Sequence, residues 1–227
     1  HLDLLYLARR LWGARLENCS LSTLEENILL RRRTDDIPGY MIPNIYLEYL
    51  RTRKPEAMRR VIRHNEWDIV AMAALLIAVG DLFHAPHKGD AYELFGIARE
   101  LERGQRIPEA AACYRACIAS APRSLAPDAK RRFAYLTKRY RSPREAMDLW
   151  TDLAEEEGDF PVLPLIEMAK FLEHREKDYP RSLECTEKAL GLVSGIPGAG
   201  SQRLREELFR RRQRLMKKME RRMEQWG

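Results

Sequence analysis

The sequence predicts an all-α chain in two parts, and three observations carry that expectation. Apolar residues recur at three- and four-residue spacing over long stretches, the period of one helix face. A helix–turn–helix pattern returns with a constant step of 36 residues in the C-terminal part. Of the 227 residues, 45% are hydrophobic and 33% charged, enough apolar surface for a core with a solvated exterior; disordered chains are poorer in apolar residues.

In the N-terminal part, Leu4, Leu7, Ala8, Leu11 and Trp12 define a first amphipathic helix ending near Gly13. Ser20 or Ser22 can cap a second, with Glu25 or Glu26 at capping-box spacing. The segment 31–43 holds Asp35, Pro38, Gly39 and Pro43 and reads as a loop. Three further helices are expected over 43–50, 55–63 and 65–83. The last is apolar nearly all round and should be the buried centre of this part. Residues 85–89 are expected to be a linker between a domain over 1–84 and one over 90–227.

In the C-terminal part, Ala110, Ala146 and Ser182 repeat at that step, each followed four residues later by Tyr114, Trp150 or Thr186. About twelve residues upstream of each stands a small residue, Ala98, Ala134 or Ala169. Pro108, Pro143 and Pro180 open the second helix of each unit, where the missing N–H costs nothing. Small residues allow close helix crossing, and the larger ones fill the space between hairpins. The pattern resembles the tetratricopeptide family, whose period is about 34, with units near 90–124, 127–158 and 161–195. The third carries an extra residue near Asp178. A last helix over 201–226, with Leu204, Leu208, Leu215, Met219, Met223 and Trp226 on one stripe, is expected to cap the array.

Charge is unevenly placed. Of a net +6, the stretch Arg203 to Arg222 carries ten Lys or Arg against three Glu. Such a stretch either solvates a helix or meets phosphates; the residues that would meet nucleic acid are Arg211, Arg214, Lys217 and Lys218. An acidic run over Glu155 to Asp159 offsets other basic stretches. Cys19, Cys113, Cys117 and Cys185 show no CxxC pair, which suits a reducing, cytoplasmic compartment without disulfides. The longest apolar run, Ile69 to Val79, is shorter than the roughly 20 residues of a bilayer span, so no membrane association is expected. The chain opens on His1, not Met, so preceding residues are expected.

Chemistry concentrates at His64-Asn65-Glu66-Trp67-Asp68, with His64 and Asp68 four apart on one helix face. A structural alternative is that Asn65 caps the helix and Asp68 favours its positive end. HLDLLYLARRLW, SLSTLEENIL, DDIPGYMIPNIYLEYL and VIRHNEWDIVAMAALL, in that order, resemble the back half of the YprB-type ribonuclease-H-like family, in the DEDD group of 3′–5′ exonucleases. The resemblance covers residues 1 to 83 and implies that Asp68 binds a catalytic metal while His64 activates water. It implies Mg2+ or Mn2+ in a full-length parent. The paired acids of that family's first strand should lie upstream of His1, and one or two carboxylates cannot hold two metal ions. This chain alone is therefore expected to be inactive and to bind no metal.

The fold class expected is thus an all-α helical remnant of a ribonuclease-H-like domain, followed by a tetratricopeptide-like helical-hairpin array with a capping helix. The expected function is the C-terminal portion of an exonuclease-type protein whose repeats bind a protein partner, with nucleic acid a second candidate. The alternative is a non-catalytic tetratricopeptide-like adaptor.

Overall fold

The computed structural model describes residues 3–34, 36–140, 142–156 and 162–224. Asp35, Asp159 and Trp226 lie outside the described residues. Every described element is helical, and there is no strand among them. The chain forms two compact units, residues 1–104 and 105–227.

The first unit contains α1 (Leu4–Leu11), α2 (Leu21–Asn27), a 3-10 turn (Gly39–Met41), α3 (Ile42–Thr52), α4 (Glu56–His84), a second 3-10 turn (Pro86–Lys88) and α5 (Ala91–Arg103). The stretch 85–89, expected to link two domains, is a turn inside this unit, because α5 packs on α1. Their crossing is backbone on backbone. A Cβ on Gly96 would stand 2.6 Å from the carbonyl oxygen of Arg10 and 2.9 Å from Cα of Leu11. Polar bonds flank the crossing: Trp12 Nε1 donates to Glu93 Oε1 at 2.8 Å and Arg10 Nη1 to Glu100 Oε2 at 2.9 Å. Asp90 and Glu93 close a capping box at the start of α5, satisfying two helix-end donors reciprocally.

Two local expectations are corrected here. The helices expected over 55–63 and 65–83 are one 29-residue helix, α4. No proline interrupts it, Pro55 precedes its first residue, and Asn65 sits in its interior rather than at a cap. Ser20 does cap α2, accepting from Thr23 N, but this puts Thr23 and not Glu25 at the third helical position, so there is no capping box, and the Glu25 carboxylate is turned inward to Arg33.

α4 is also not the enclosed centre that its composition suggests. Ala71, Leu75 and Val79 are its buried residues, while Ile62, Ile69, Val70, Met72, Leu76 and Ile77 are exposed. By length and composition alone, with a mean hydropathy of 1.6 over 18 residues, the helix could cross a membrane.

The second unit runs α6 (Ile107–Ser120), α7 (Ala126–Tyr140), α8 (Pro143–Glu155), α9 (Val162–Phe171), a π turn (Leu172–Glu176), α10 (Tyr179–Ser194) and α11 (Ala199–Glu224). Each helix packs on the next along the chain. The small residues singled out from spacing are buried: Ala110, Ala134, Ala146, Ala169 and Ser182 are each at most 1% exposed. Tyr114, Trp150 and Thr186 are buried beside them. Ser182 Oγ donates to the carbonyl of Ala169 at 2.9 Å, a close approach that a larger side chain would block. Near the extra residue expected at Asp178, a π turn over Leu172–Glu176 widens the helix end before Lys177 turns left-handed at φ 58°. A π turn is one residue inserted into a helix.

The α1–α5 crossing generates a first prediction. Gly96→Ala should destabilise the chain by about 1–3 kcal/mol, because the new methyl meets backbone atoms that cannot rotate away. A thermal melt that matches the parent would show that the two helices are not held at this distance.

Candidate functional site

His64 and Asp68 do share one face of α4, one turn apart. The structure adds three residues that the sequence did not assign to this site: Glu25 from α2, read there only as a capping residue, and Arg33 and Asp36 from the segment between α2 and the first 3-10 turn. Arg33 Nη1 lies 3.0 Å from Asp36 Oδ2, and Arg33 Nη2 donates to Asp68 Oδ1 at 2.7 Å. His64 Nδ1 meets Asp36 Oδ1 at 2.7 Å, and its Nε2 stands 3.5 Å from Asp68 Oδ2. Arg33, Asp36, His64 and Asp68 therefore form a closed ring of charge contacts. They line a cavity of about 330 Å³ whose other walls include Ser22, Ile37 and Gly39.

Burial of this ring makes its charges matter. Glu25 is 1% exposed and pairs with Arg33 Nε at 2.7 Å, although neither Glu25 oxygen receives an aligned hydrogen bond. The Arg33 guanidinium also lies 5.9 Å from the centre of the Trp67 ring, within cation–π range. Burial by itself would lower the Arg33 pKa. Its hydrogen bonds to Asp68 and Asp36 and the close Glu25 carboxylate outweigh that and raise it above the ordinary value. Burial would likewise raise Asp36, but the bonds from His64 and Arg33 hold its carboxyl below the ordinary range.

The donor set does not suit a two-metal centre. A guanidinium already stands between the carboxylates of Asp36 and Asp68, taking one oxygen from each. The remaining oxygens face His64. Among the described residues, no group of three or more His, Cys, Asp or Glu is arranged to hold a metal ion. As it stands, the arrangement orients His64 and holds the carboxylates of Asp36 and Asp68 on a single guanidinium. No step through a metal follows from it.

Of the four basic residues singled out on the last helix, three converge on one carboxylate. Arg211 Nη1, Arg214 Nε and Lys218 Nζ lie 2.6, 2.8 and 2.7 Å from the oxygens of Glu173, which is fully buried in the π turn. Burial would raise the Glu173 pKa, but hydrogen bonds from Arg214 and Lys218 and the charge of Arg211 bring it down to about 2. Lys217 makes no contact of this kind and lies on an open basic surface that Arg210, Arg214, Lys218 and Arg221 share. The inward role of Arg211, Arg214 and Lys218 left no mark in the basic stretch itself.

Residues 1–79 match the sequence model of the RNase H superfamily. Over 215 residues the chain is 28% identical to a Bacillus subtilis (strain 168) protein named "Uncharacterized protein YprB", an alignment that covers 92% of this chain and 51% of that protein. The chain thus spans about half the length of the curated relative it matches. No solved structure matches it.

Two predictions follow from the buried charges. Arg33→Ala leaves Glu25 without its cation and should cost about 3–5 kcal/mol in urea unfolding, part of which Glu25→Gln restores. A loss below about 1 kcal/mol would mean that the ring contributes little to folding. For Glu173, the folded value lies below the ordinary 4.5, so its stabilisation is complete above about pH 4.5 and is lost as pH falls toward 2. Glu173→Gln should flatten that acid limb and destabilise by about 3 kcal/mol at neutral pH. An unchanged pH profile would refute the assignment.

Proposed function

We propose, from the YprB-type, ribonuclease-H-like family that both comparisons support, that this chain is the C-terminal portion of a 3′–5′ exonuclease-type protein, catalytically silent by itself. The observation that carries this reading is the exposed apolar face of α4. Ile62, Ile69, Val70, Met72, Leu76 and Ile77 form part of a surface far more apolar than an isolated unit needs, and such surfaces mark contacts with other protein. The same helix carries His64 and Asp68 and falls mostly within the residues that match the RNase H superfamily. A further segment of the longer protein covers that face and brings its own carboxylates toward Asp68 and His64. Mg2+ or Mn2+ belongs, in this reading, to the longer protein. Phosphodiester hydrolysis by paired metals needs more carboxylates than the ring provides.

The second unit serves in this reading as a tetratricopeptide-like array that binds a protein partner. Its succession of hairpins with small residues at the crossings supports that role. The exposed basic surface around Lys217 is where nucleic acid would meet the array. Buried, free Cys113, Cys117 and Cys185 fit a cytoplasmic setting. A second reading, a non-catalytic adaptor that keeps the nuclease fold as a platform, is favoured by one observation. Arg33 and His64 between them take all four oxygens of Asp36 and Asp68.

Cleavage assays separate these readings. Residues 1–227 with Mg2+ or Mn2+ should leave 3′-labelled single-stranded DNA and RNA intact. The longer protein should degrade one of them and lose at least 100-fold of that rate on Asp68→Asn. Metal-dependent cleavage by residues 1–227 that vanishes in Asp68→Asn would overturn the silent-fragment reading. A longer protein with no activity would establish the adaptor.

A further inference from the structure

We infer that Arg33 is an internal latch on the candidate site: its guanidinium fills the place between Asp36 and Asp68 that a divalent cation would otherwise take. The inference rests on the reading of Asp68 as a metal-binding carboxylate of the longer protein. It adds a cause for the silence of residues 1–227 that lies within the chain itself, beside the carboxylates the chain lacks.

Two carboxylates are what one Mg2+ or Mn2+ ion commonly takes from a protein, the rest of its shell being water and substrate phosphate. Asp36 and Asp68 can make such a pair, since one guanidinium spans them. Arg33 Nη1 lies 3.0 Å from Asp36 Oδ2, and Nη2 lies 2.7 Å from Asp68 Oδ1. A planar fork with a fixed positive charge suits carboxylates better than any other basic side chain. It answers the same negative charge that would draw a metal, and it does so from inside the fold. The Arg33 side chain is only 10% exposed, whereas both aspartates are more open and line the cavity. Ions in solution can therefore reach the carboxylates, and they meet a pair whose charge is already engaged.

Two observations mark the contact as releasable and not simply as a structural bridge. Arg33 Nε stands 2.7 Å from the buried Glu25 carboxylate, yet neither Nε nor either Glu25 oxygen has an aligned hydrogen bond. Buried donors and acceptors are nearly always satisfied, so reaching both aspartates leaves Arg33 with an unmet bond to Glu25. A guanidinium freed from the aspartates can turn to make it. The segment that carries Arg33 and Asp36 also leaves α2 through Leu30, which is exposed and left-handed at φ 53°. Residues other than glycine adopt that conformation at a cost, and such strain collects at switch regions. Release thus has a destination, Glu25, and a strained segment to move.

The test is Mn2+ binding by residues 1–227, read from the loss of the free-ion signal in electron paramagnetic resonance. Arg33→Gln combined with Glu25→Gln removes the latch together with its buried acid, so no charge is stranded. This double variant should bind one Mn2+ at least tenfold tighter than the parent. Adding Asp36→Asn or Asp68→Asn should abolish the gain. Arg33→Lys keeps a cation for Glu25 and so protects the fold, but a compact ammonium cannot bridge both aspartates as the fork does. It should bind Mn2+ several-fold tighter than the parent, and it carries the test if the double variant does not fold. Folded latch variants that bind Mn2+ no tighter than the parent overturn the proposal. They leave the exonuclease reading standing, because its failure shows instead in the cleavage assays of the longer protein. A gain that survives both aspartate substitutions also overturns the latch, and it removes Asp68 from the metal site of the longer protein as well.

Discussion

A carboxylate withdrawn from water must find a cation, and the second unit and the candidate site are both organised around that requirement. Glu25, Glu167 and Glu173 are each at most 5% exposed, and each is met by basic side chains from elsewhere in its own unit. Arg33 reaches Glu25; Lys138 and Lys170 reach Glu167; Arg211, Arg214 and Lys218 reach Glu173. Removing one member of such a group leaves an uncompensated charge, which costs far more than the intact group contributes over an apolar substitute. These clusters therefore fix geometry more than they add stability. They decide which face of a helix turns inward.

In the first unit this decision places the candidate site. Arg33 ties α2 to α4 and to the segment between them, and in doing so aligns Asp36 with His64 and Asp68. The result is a rigid ring of four charged or polar groups in place of a loose acidic cluster. Carboxylates that could take a metal are held by a guanidinium, and the helix that bears them shows an apolar face to solvent. Both features lie on the same helix, α4.

In the second unit the same principle works with a local irregularity. The π turn interrupts the regular helix and holds Glu173 against the basic side chains of α11. Of the basic stretch of α11, Arg211, Arg214 and Lys218 are engaged by Glu173, while Arg214 and Lys218 also share an open basic surface with Arg210, Lys217 and Arg221.

The sequence by itself determined the helical class, the register of the small residues and the pairing of His64 with Asp68, because these depend on spacing along one helix. The burial of Ala110, Ala134, Ala146 and Ala169 was legible from a 36-residue step for the same reason. It did not determine where α5 belongs, since Gly96 acquires meaning only when α1 lies against it. Nor did it disclose Arg33 and Asp36, read as loop residues, because their roles arise from contacts with side chains 28 and 35 residues away. The hydrophobicity of α4 indicated burial, but burial requires a covering surface, and only the tertiary structure could show that the described residues of the first unit leave much of that helix exposed. Local periodicity fixes which side chains share a face; what that face meets is settled by distant parts of the chain.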